Sequence, residues 1–146
     1  MIRYSKFILV FVFCIPVVLI CHAQYKTRAG VEQAMKNYDH LLMGMNADSI
    51  AAIYAPDGEL GKIARGRDSI RNFLNTFKNF RVLSQSSETN SISLDQDSAL
   101  QKGIYRQTVV IPSKDTVTVQ GNFTALWIWS FNNGWLIRRM ETQPTK

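Results

Sequence analysis

The clearest hydrophobic pattern in the chain is a helical stripe between residues 31 and 45. Polar side chains such as Glu32, Lys36 and His40 take the opposite side. The pattern predicts an amphipathic helix with the Tyr38 ring buried in the middle of its apolar face. A buried phenol needs a hydrogen-bond partner, either a backbone carbonyl or a group in a pocket. The apolar positions follow i, i+3, i+4, i+7 spacing: Val31, Ala34, Met35, Tyr38, Leu41, Leu42 and Met45.

Two shorter helices are predicted after this stripe. Asp48 has the residue type of an N-cap for a helix over residues 49–54. Residues 56–58, Pro-Asp-Gly, predict a turn that ends this helix, and an extended piece over residues 59–64 follows. A third helix begins after Gly66 because apolar residues return at helical spacing: Ile70, Phe73, Leu74 and Phe77.

The pattern changes from helices to strands after Phe80. Strands are predicted within residues 81–94 and over residues 99–111, 116–131 and 135–142. Residues 112–115 form a hairpin connection, and Asn132-Asn133-Gly134 is a second tight turn. No strand–helix–strand alternation appears after Phe80, so three helices followed by an antiparallel sheet predict an α+β fold.

The predicted strand over residues 116–131 is apolar on both faces. One face holds Phe123, Ala125, Trp127, Trp129 and Phe131, and the other holds Thr124, Leu126, Ile128 and Ser130. An antiparallel strand with one face in water does not need this pattern. We expect one face to meet the helices and a pocket. The other face is either covered by a second copy of the protein or buried within the chain.

The first 23 residues have the pattern of a secretory signal peptide. Arg3 and Lys6 precede an apolar run over residues 7–20, and Ala23 supplies a small residue before the cut. Cleavage after Ala23 predicts a periplasmic or secreted protein with no stable membrane span. One alternative is a lipoprotein acylated at Cys21, although Ile20 stands where a lipobox has a small residue. An uncleaved N-terminal anchor is the other alternative.

The 146-residue sequence therefore predicts one globular domain over residues 24–146, without cofactor or metal. Both cysteines, Cys14 and Cys21, lie in the leader, which excludes disulfides and thiol chemistry from the domain. His40 is the domain's one histidine, so a serine–histidine–aspartate triad or a histidine-rich metal site is not expected. It points away from Tyr38 around the helix, toward solvent.

The formal net charge is +6, and basic residues concentrate between residues 62 and 81, where Asp68 is the one acid. Such a run usually forms a solvated face, with an acidic small ligand or anionic lipid as the functional alternative. Nucleic acid is not the expected partner, because Phe73 and Phe77 belong to the core stripe and do not interleave with the charges. The basic side chains are Lys62, Arg65, Arg67, Arg71, Lys78 and Arg81.

Several segments resemble one known superfamily. They are residues 38–58, residues 66–70 (Gly-Arg-Asp-Ser-Ile), residues 121–131 and residues 133–137 (Asn-Gly-Trp-Leu-Ile). In order and sequence these resemble the nuclear transport factor 2-like superfamily, in its SnoaL-like and ketosteroid-isomerase-like branch. The resemblance covers nearly all of residues 28–143. It implies a strongly curved sheet wrapped around three helices, forming a cone with an apolar pocket.

The resemblance does not imply a single activity, since the superfamily includes isomerases, cyclases, dehydratases, binding domains and association domains. Tyr38 falls on the isomerases' helix tyrosine, but Lys62 stands at the general-base position and the second acid falls at or near Trp127. No catalytic set is therefore identified.

We expect an exported, homodimeric domain that binds a small apolar or weakly acidic molecule. The alternatives are an isomerase, cyclase or dehydratase using Tyr38 and Asp57, and a homodimeric association domain. The expected pocket residues are Tyr38, Tyr54, Asp57, Phe73, Phe77, Trp127 and Trp129.

Overall fold

The computed structural model describes residues 26–145, so the predicted leader lies outside the described residues. The predicted α+β class is confirmed. Among the described residues, no helix is long and apolar enough to cross a membrane. The helices are α1 (Arg28–Gly44), α2 (Ala47–Ala52) and α3 (Arg67–Asn75), and the strands are β1 (Tyr54–Leu60), β2 (Ala64–Arg65), β3 (Arg81–Leu94), β4 (Ser98–Val110), β5 (Thr116–Ser130) and β6 (Gly134–Pro144).

The strands form one six-stranded sheet in the order β2-β1-β6-β5-β4-β3. Strands β3 to β6 follow each other in antiparallel hairpins, as predicted. The expectation of a purely antiparallel sheet is wrong at one place, because β1 lies parallel to β6, with Tyr54 opposite Ile137. The sheet is therefore mixed, and β6, the last strand in sequence, lies in its interior.

Helix α1 is the stripe that the sequence predicts, with defined ends. The Thr27 side chain accepts a hydrogen bond from the Gly30 backbone N–H at 3.1 Å, which satisfies one of the free donors of the first turn. Met45 adopts a left-handed conformation (φ 47°) and its N–H bonds to the Leu42 carbonyl, which ends the helix. Its buried face packs against the sheet, with Val31, Ala34, Met35 and Tyr38 in the core.

The segment after α1 differs from the prediction at both ends of the short helix. Helix α2 begins at Ala47 because Asn46, not Asp48, is its N-cap and accepts from the Ser49 N–H at 2.9 Å. Tyr54 lies in β1 and not at the end of a helix.

The turn predicted at residues 56–58 is also wrong. These residues lie inside β1, where the pairing with β6 shifts register between Tyr54 and Glu59. This irregularity accommodates Pro56, which has no N–H to donate to a ladder. Gly58 is required there by close packing, since a Cβ would lie 2.8 Å from the Ile137 carbonyl oxygen.

Two glycines face aromatic rings at the centre of the sheet. Gly103 on β4 is opposite Phe123 on β5, and Gly121 on β5 is opposite Tyr105 on β4. A Cβ on Gly103 would lie 2.0 Å from the Glu88 carbonyl oxygen and 2.6 Å from the Phe123 ring. Glycines in this setting let neighbouring strands bend and let rings cover the backbone. The bend contributes to the cone that encloses the helices.

The odd-numbered face of β5 is the face that meets the helices. Phe123, Ala125 and Trp127 are buried in the core, whereas Leu126 and Ile128 on the other face are half-buried. The Trp127 Nε1–H donates to the Gln101 Oε1 at 2.9 Å, which satisfies the indole inside the core. The concave face therefore carries the core, and the convex face of the sheet remains partly exposed.

Candidate functional site

Two adjoining chambers form a cavity between α1, α3 and the concave face of the sheet. The first, named here the tyrosine chamber, has a volume of about 230 Å³. Its lining is Met35, Tyr38, Leu42, Leu60, Leu74, Gln85, Ser87, Tyr105, Gln107, Val119, Phe123, Met140 and Thr142.

The second, named the phenylalanine chamber, has a volume of about 270 Å³. Its walls share Leu42, Leu74, Gln107 and Val119 with the tyrosine chamber, so the two adjoin. Together the two chambers follow the direction of α1, with Met35 at one end and Met45 at the other. The rest of the lining of the phenylalanine chamber is Met45, Phe77, Phe80, Val82, Val109, Ile111 and Val117.

The lining of both chambers is apolar with a few polar groups and no charge. None of the lining residues is Asp, Glu, Lys, Arg or His, and no cluster of metal-binding side chains is found among the described residues. This composition is typical of a site for an organic small molecule. The polar side chains that line the chambers are Tyr38, Gln85, Ser87, Tyr105, Gln107 and Thr142.

A pair of buried tyrosines stands at the wall of the tyrosine chamber. The Tyr38 and Tyr54 hydroxyl oxygens are 3.4 Å apart, and the two rings meet edge to face. Burial raises the pKa of Tyr38 and raises that of Tyr54 further, so both phenols are neutral at physiological pH. When Tyr54 donates to Tyr38, the Tyr38 proton remains available to an acceptor in the chamber.

The polar edge of the same chamber is fixed by Asp39, the residue after Tyr38. Its Oδ1 accepts from the Gln85 Nε2 at 2.9 Å and from the Ser87 Oγ at 2.7 Å. Its Oδ2 accepts from the Ser87 backbone N–H at 2.8 Å. These bonds tie α1 to β3, and they hold two of the chamber's polar side chains in place.

The structure brings some of the expected pocket residues together. Tyr38 lines the tyrosine chamber and Phe77 lines the phenylalanine chamber. Tyr54 lies behind Tyr38 and contributes through the shared hydrogen bond. Phe73 is one step further out, with its ring against Phe77 at a centroid distance of 5.2 Å.

Asp57 lies apart from this group. It is exposed and forms an ion pair with Arg138, whose hydrogen bond lowers the pKa of the Asp57 carboxyl. The tyrosine chamber, which Tyr38 lines, does not include Asp57 in its lining. Lys62, at the isomerases' base position, is exposed between β1 and β2. Tyr38 is therefore buried beside the tyrosine chamber, whereas the Asp57 side chain is on the surface.

The two tryptophans also lie outside the chambers. Trp127 lines a separate cavity of about 230 Å³ together with Ala34, Ile53 and Trp135. Trp129 packs edge to face on Trp135, with ring centroids 5.3 Å apart. The strand positions that line the chambers are Phe123, Val119 and Val117, nearer to the start of β5.

The chamber residues on β3 and β4 were not predicted from the sequence. Tyr105, Gln107 and Val109 alternate along β4, so they share the face that Gly103 presents to Phe123. That alternation is visible in the sequence. The face that it would occupy could not be chosen without the strand pairing.

Three arginines of the basic segment have structural partners, and one of them is Arg65, whose Nε lies 3.7 Å from the Glu59 Oε1. Arg67 Nε donates to the Tyr54 carbonyl at 2.7 Å, and Arg71 forms ion pairs with Asp48 and Asp68 at 2.6 Å each. These contacts join α3 to β1 and α2. His40 is exposed, as expected.

Three helices enclosed by a curved, mixed six-stranded sheet define the nuclear transport factor 2-like class of proteins. Within that class, the chain belongs to the SnoaL-like domain family, whose sequence profile matches residues 23–141. No curated protein sequence matches the chain.

Solved structures share the fold at low sequence identity. A ketosteroid isomerase-like protein from Erwinia carotovora atroseptica is 17% identical, with a TM-score of 0.69 over 80% of this chain and 94% of that one. A Novosphingobium aromaticivorans protein assigned as a scytalone dehydratase is 18% identical, with a TM-score of 0.66 over 80% and 82%. A Xanthomonas campestris protein assigned as a calcium/calmodulin-dependent protein kinase II association domain is 24% identical, with a TM-score of 0.66 over 79% and 85%. Identities this low establish the fold alone.

Proposed function

We propose that this protein is an exported domain that binds a small, mostly apolar molecule in the two-chamber cavity and catalyses little or no reaction on it. The observation that carries the proposal is the cavity itself, which is apolar and uncharged and has the Tyr38 hydroxyl in its wall. Tyr38 supplies the hydrogen bond that orients the ligand. The known structures of this fold include both enzyme-like and association-domain proteins, so the fold does not choose between these classes.

The enzyme alternative requires a free proton acceptor near the ligand, but the carboxylate at the chamber edge, that of Asp39, is engaged by hydrogen bonds from Gln85 and Ser87. The two tyrosines that line the chambers, Tyr38 and Tyr105, both have a raised pKa, so neither is ionised at neutral pH. Asp57 is on the surface with Arg138. The binding proposal is therefore favoured over chemistry through Tyr38 and Asp57.

The test is a titration with prodan, an uncharged naphthalene ketone whose own fluorescence reports an apolar environment. The probe must supply the signal because no tryptophan lines either chamber. We expect saturable binding that Val119→Trp abolishes, since the larger indole would fill the space where the two chambers adjoin. Tyr38→Phe should weaken binding by about 0.5–1.5 kcal/mol, the net value of one neutral hydrogen bond.

The matched control is Trp129→Phe, which keeps an aromatic ring outside the chambers and should bind prodan like the wild type. Binding that survives Val119→Trp would place the ligand elsewhere. A parallel isomerase assay separates the two classes. Robust turnover lost in Tyr38→Phe or Asp57→Asn would favour the enzyme over the binding domain.

Export is part of the proposal and rests on the sequence of residues 1–23. If cleavage follows Ala23, protein recovered from its own compartment begins at Gln24, as the free or the cyclised residue. An intact-mass measurement distinguishes the three possibilities. A mass that includes the leader indicates an uncleaved anchor, and a lipid mass on Cys21 indicates a lipoprotein; either result contradicts cleavage after Ala23.

Assembly is a second proposed property, favoured by the convex face of the sheet. Leu100 and Ile104 on β4 are 38% and 45% exposed on that face, beside the half-buried Leu126 and Ile128. Exposed apolar side chains grouped on one face are a usual mark of a contact surface. We propose that a second copy of the chain covers this face, which leaves the concave cavity free for the ligand.

A further inference from the structure

Gln107 is the polar residue in the wall that the two chambers share. It lies on β4 between Gln85 on β3 and Val119 on β5, and it belongs to the lining of both chambers. In the phenylalanine chamber every other lining residue is apolar. Among the described residues, the Gln107 amide is not one of the fully buried unpaired groups, so water can reach it in the free protein.

Within the described part of the chain, the Gln107 amide forms no side-chain hydrogen bond, although the residue is half-buried. Its neighbour Gln85 differs, because the Gln85 Nε2 is held by the Asp39 carboxylate at 2.9 Å. Gln107 therefore retains two donors and one acceptor oxygen next to the cavity. Polar groups that lose water on ligand binding need a replacement partner. A bound ligand is the available source of that partner.

The chambers also discriminate on charge. An ionised ligand that enters them would lose hydration and find no opposite charge in the lining, which is costly. The cavity is elongated as well, since its lining runs from Met35 to Met45 along α1, a rise of about 15 Å.

We propose that Gln107 is a specificity-determining residue that selects uncharged, elongated ligands with two oxygen functions. One oxygen accepts a hydrogen bond from the Tyr38 hydroxyl, and a hydroxyl or carbonyl group further along the ligand bonds to the Gln107 amide. This inference rests on the proposed binding function, and it narrows the apolar or weakly acidic ligand to one that is neutral when bound.

The experiment measures displacement of prodan by naphthalenes that differ in one group. 2-Acetylnaphthalene carries one oxygen, and 6-hydroxy-2-acetylnaphthalene adds a second at the far end. We expect the hydroxyl to improve affinity about 3- to 10-fold in the wild type, the range for one added neutral hydrogen bond. Gln107→Leu should remove that gain, and Tyr38→Phe should weaken both ketones equally.

The control Gln120→Leu makes the same change on the convex face, where Gln120 is exposed opposite Arg106. In this variant 6-hydroxy-2-acetylnaphthalene should still bind more tightly than 2-acetylnaphthalene. If circular dichroism shows that Gln107→Leu does not fold, Gln107→Met replaces it, because the Met side chain has a length similar to that of Gln and no amide. At pH 7, 2-naphthoate and 2-naphthylmethylammonium should bind at least about 10-fold more weakly than 2-acetylnaphthalene.

The outcomes separate this inference from the proposed function. If the hydroxylated ketone still binds more tightly in the variant without the Gln107 amide, the inference is overturned. Displacement of prodan by both ketones would still support a binding cavity. Equal affinity for 2-naphthoate and the ketone overturns the requirement for an uncharged ligand. Prodan binding that survives Val119→Trp overturns the proposed function, and this inference with it.

Discussion

The buried hydroxyl groups of Tyr38 and Tyr54 make the free energy of unfolding depend on pH in the alkaline range. Burial raises both pKa values above that of an exposed tyrosine, whereas in the unfolded chain each ionises near pH 10. Above pH 10 the unfolded state therefore loses protons that the folded state keeps. The stability that these phenols contribute is fully present below pH 10 and is lost as the pH rises from there toward the folded pKa values.

We expect the free energy of unfolding to fall by up to about 1.4 kcal/mol per pH unit for each buried tyrosine above pH 10. Urea denaturation at pH 8, 10 and 11 measures this slope. The double variant Tyr38→Phe/Tyr54→Phe should show a correspondingly smaller slope, with its stability at pH 8 as the reference. An unchanged slope would mean that the two phenols are not held neutral in the folded protein.

Individual residues were predictable where their surroundings are local. The burial of Tyr38 and the exposure of His40 follow from helical spacing alone, because each residue's face is set by its own helix. The partner of Tyr38 was not predictable, since Tyr54 reaches it only through the entry of β1 into the sheet beside β6. Asp57 illustrates the same limit, because its partner Arg138 lies 81 residues away in the sequence.

At the scale of elements, the strands were predicted closely and the segment between α1 and α3 was not. Strand β3 matches the expected residues 81–94, and β4, β5 and β6 differ by one or two residues at their ends. Residues 56–58 have turn composition yet lie in β1, since pairing with β6 outweighs the local preference. The sequence favoured Trp127 and Trp129 as pocket residues, whereas Phe123 and Val119 line the chambers, because the part of β5 that borders them depends on how the chain packs in three dimensions.

The two glycines Gly103 and Gly44 provide a matched test of how the sheet bends. Gly103→Ala should cost about 3 kcal/mol or more, since its Cβ would meet the Glu88 carbonyl and the Phe123 ring, and neither can move freely. Gly44→Ala should stabilise by about 0.4–1 kcal/mol, because it lies at the end of α1 with open space around it. Urea denaturation of both variants measures these values. A Gly103→Ala protein as stable as the wild type would contradict the close approach of β3 to β4.

At the scale of the whole molecule, the two faces of the sheet serve the two proposed properties, ligand binding on the concave face and dimerisation on the convex face. The concave face encloses the cavity, and the convex face carries the exposed Leu100 and Ile104 among charges of both signs. Lys102 and Glu141 lie on either side of Thr124, and Arg139 is opposite Leu126. Arg139 pairs with Glu59 of its own chain, whereas Lys102 and Glu141 of one copy can meet their opposites in the other, which suits a two-fold contact.

We therefore expect a homodimer that buries at least about 1,000 Å² through the convex face. Ile128→Glu should give monomers by size-exclusion chromatography with light scattering, because the added carboxylate would be desolvated in the contact without a partner. Ile63→Glu is the matched control: Ile63 is 66% exposed between β1 and β2, and the variant should remain a dimer. Circular dichroism of both variants checks that the fold is intact. A wild-type protein that is monomeric at high concentration excludes the dimer, and an Ile128→Glu protein that stays dimeric places the contact on another surface.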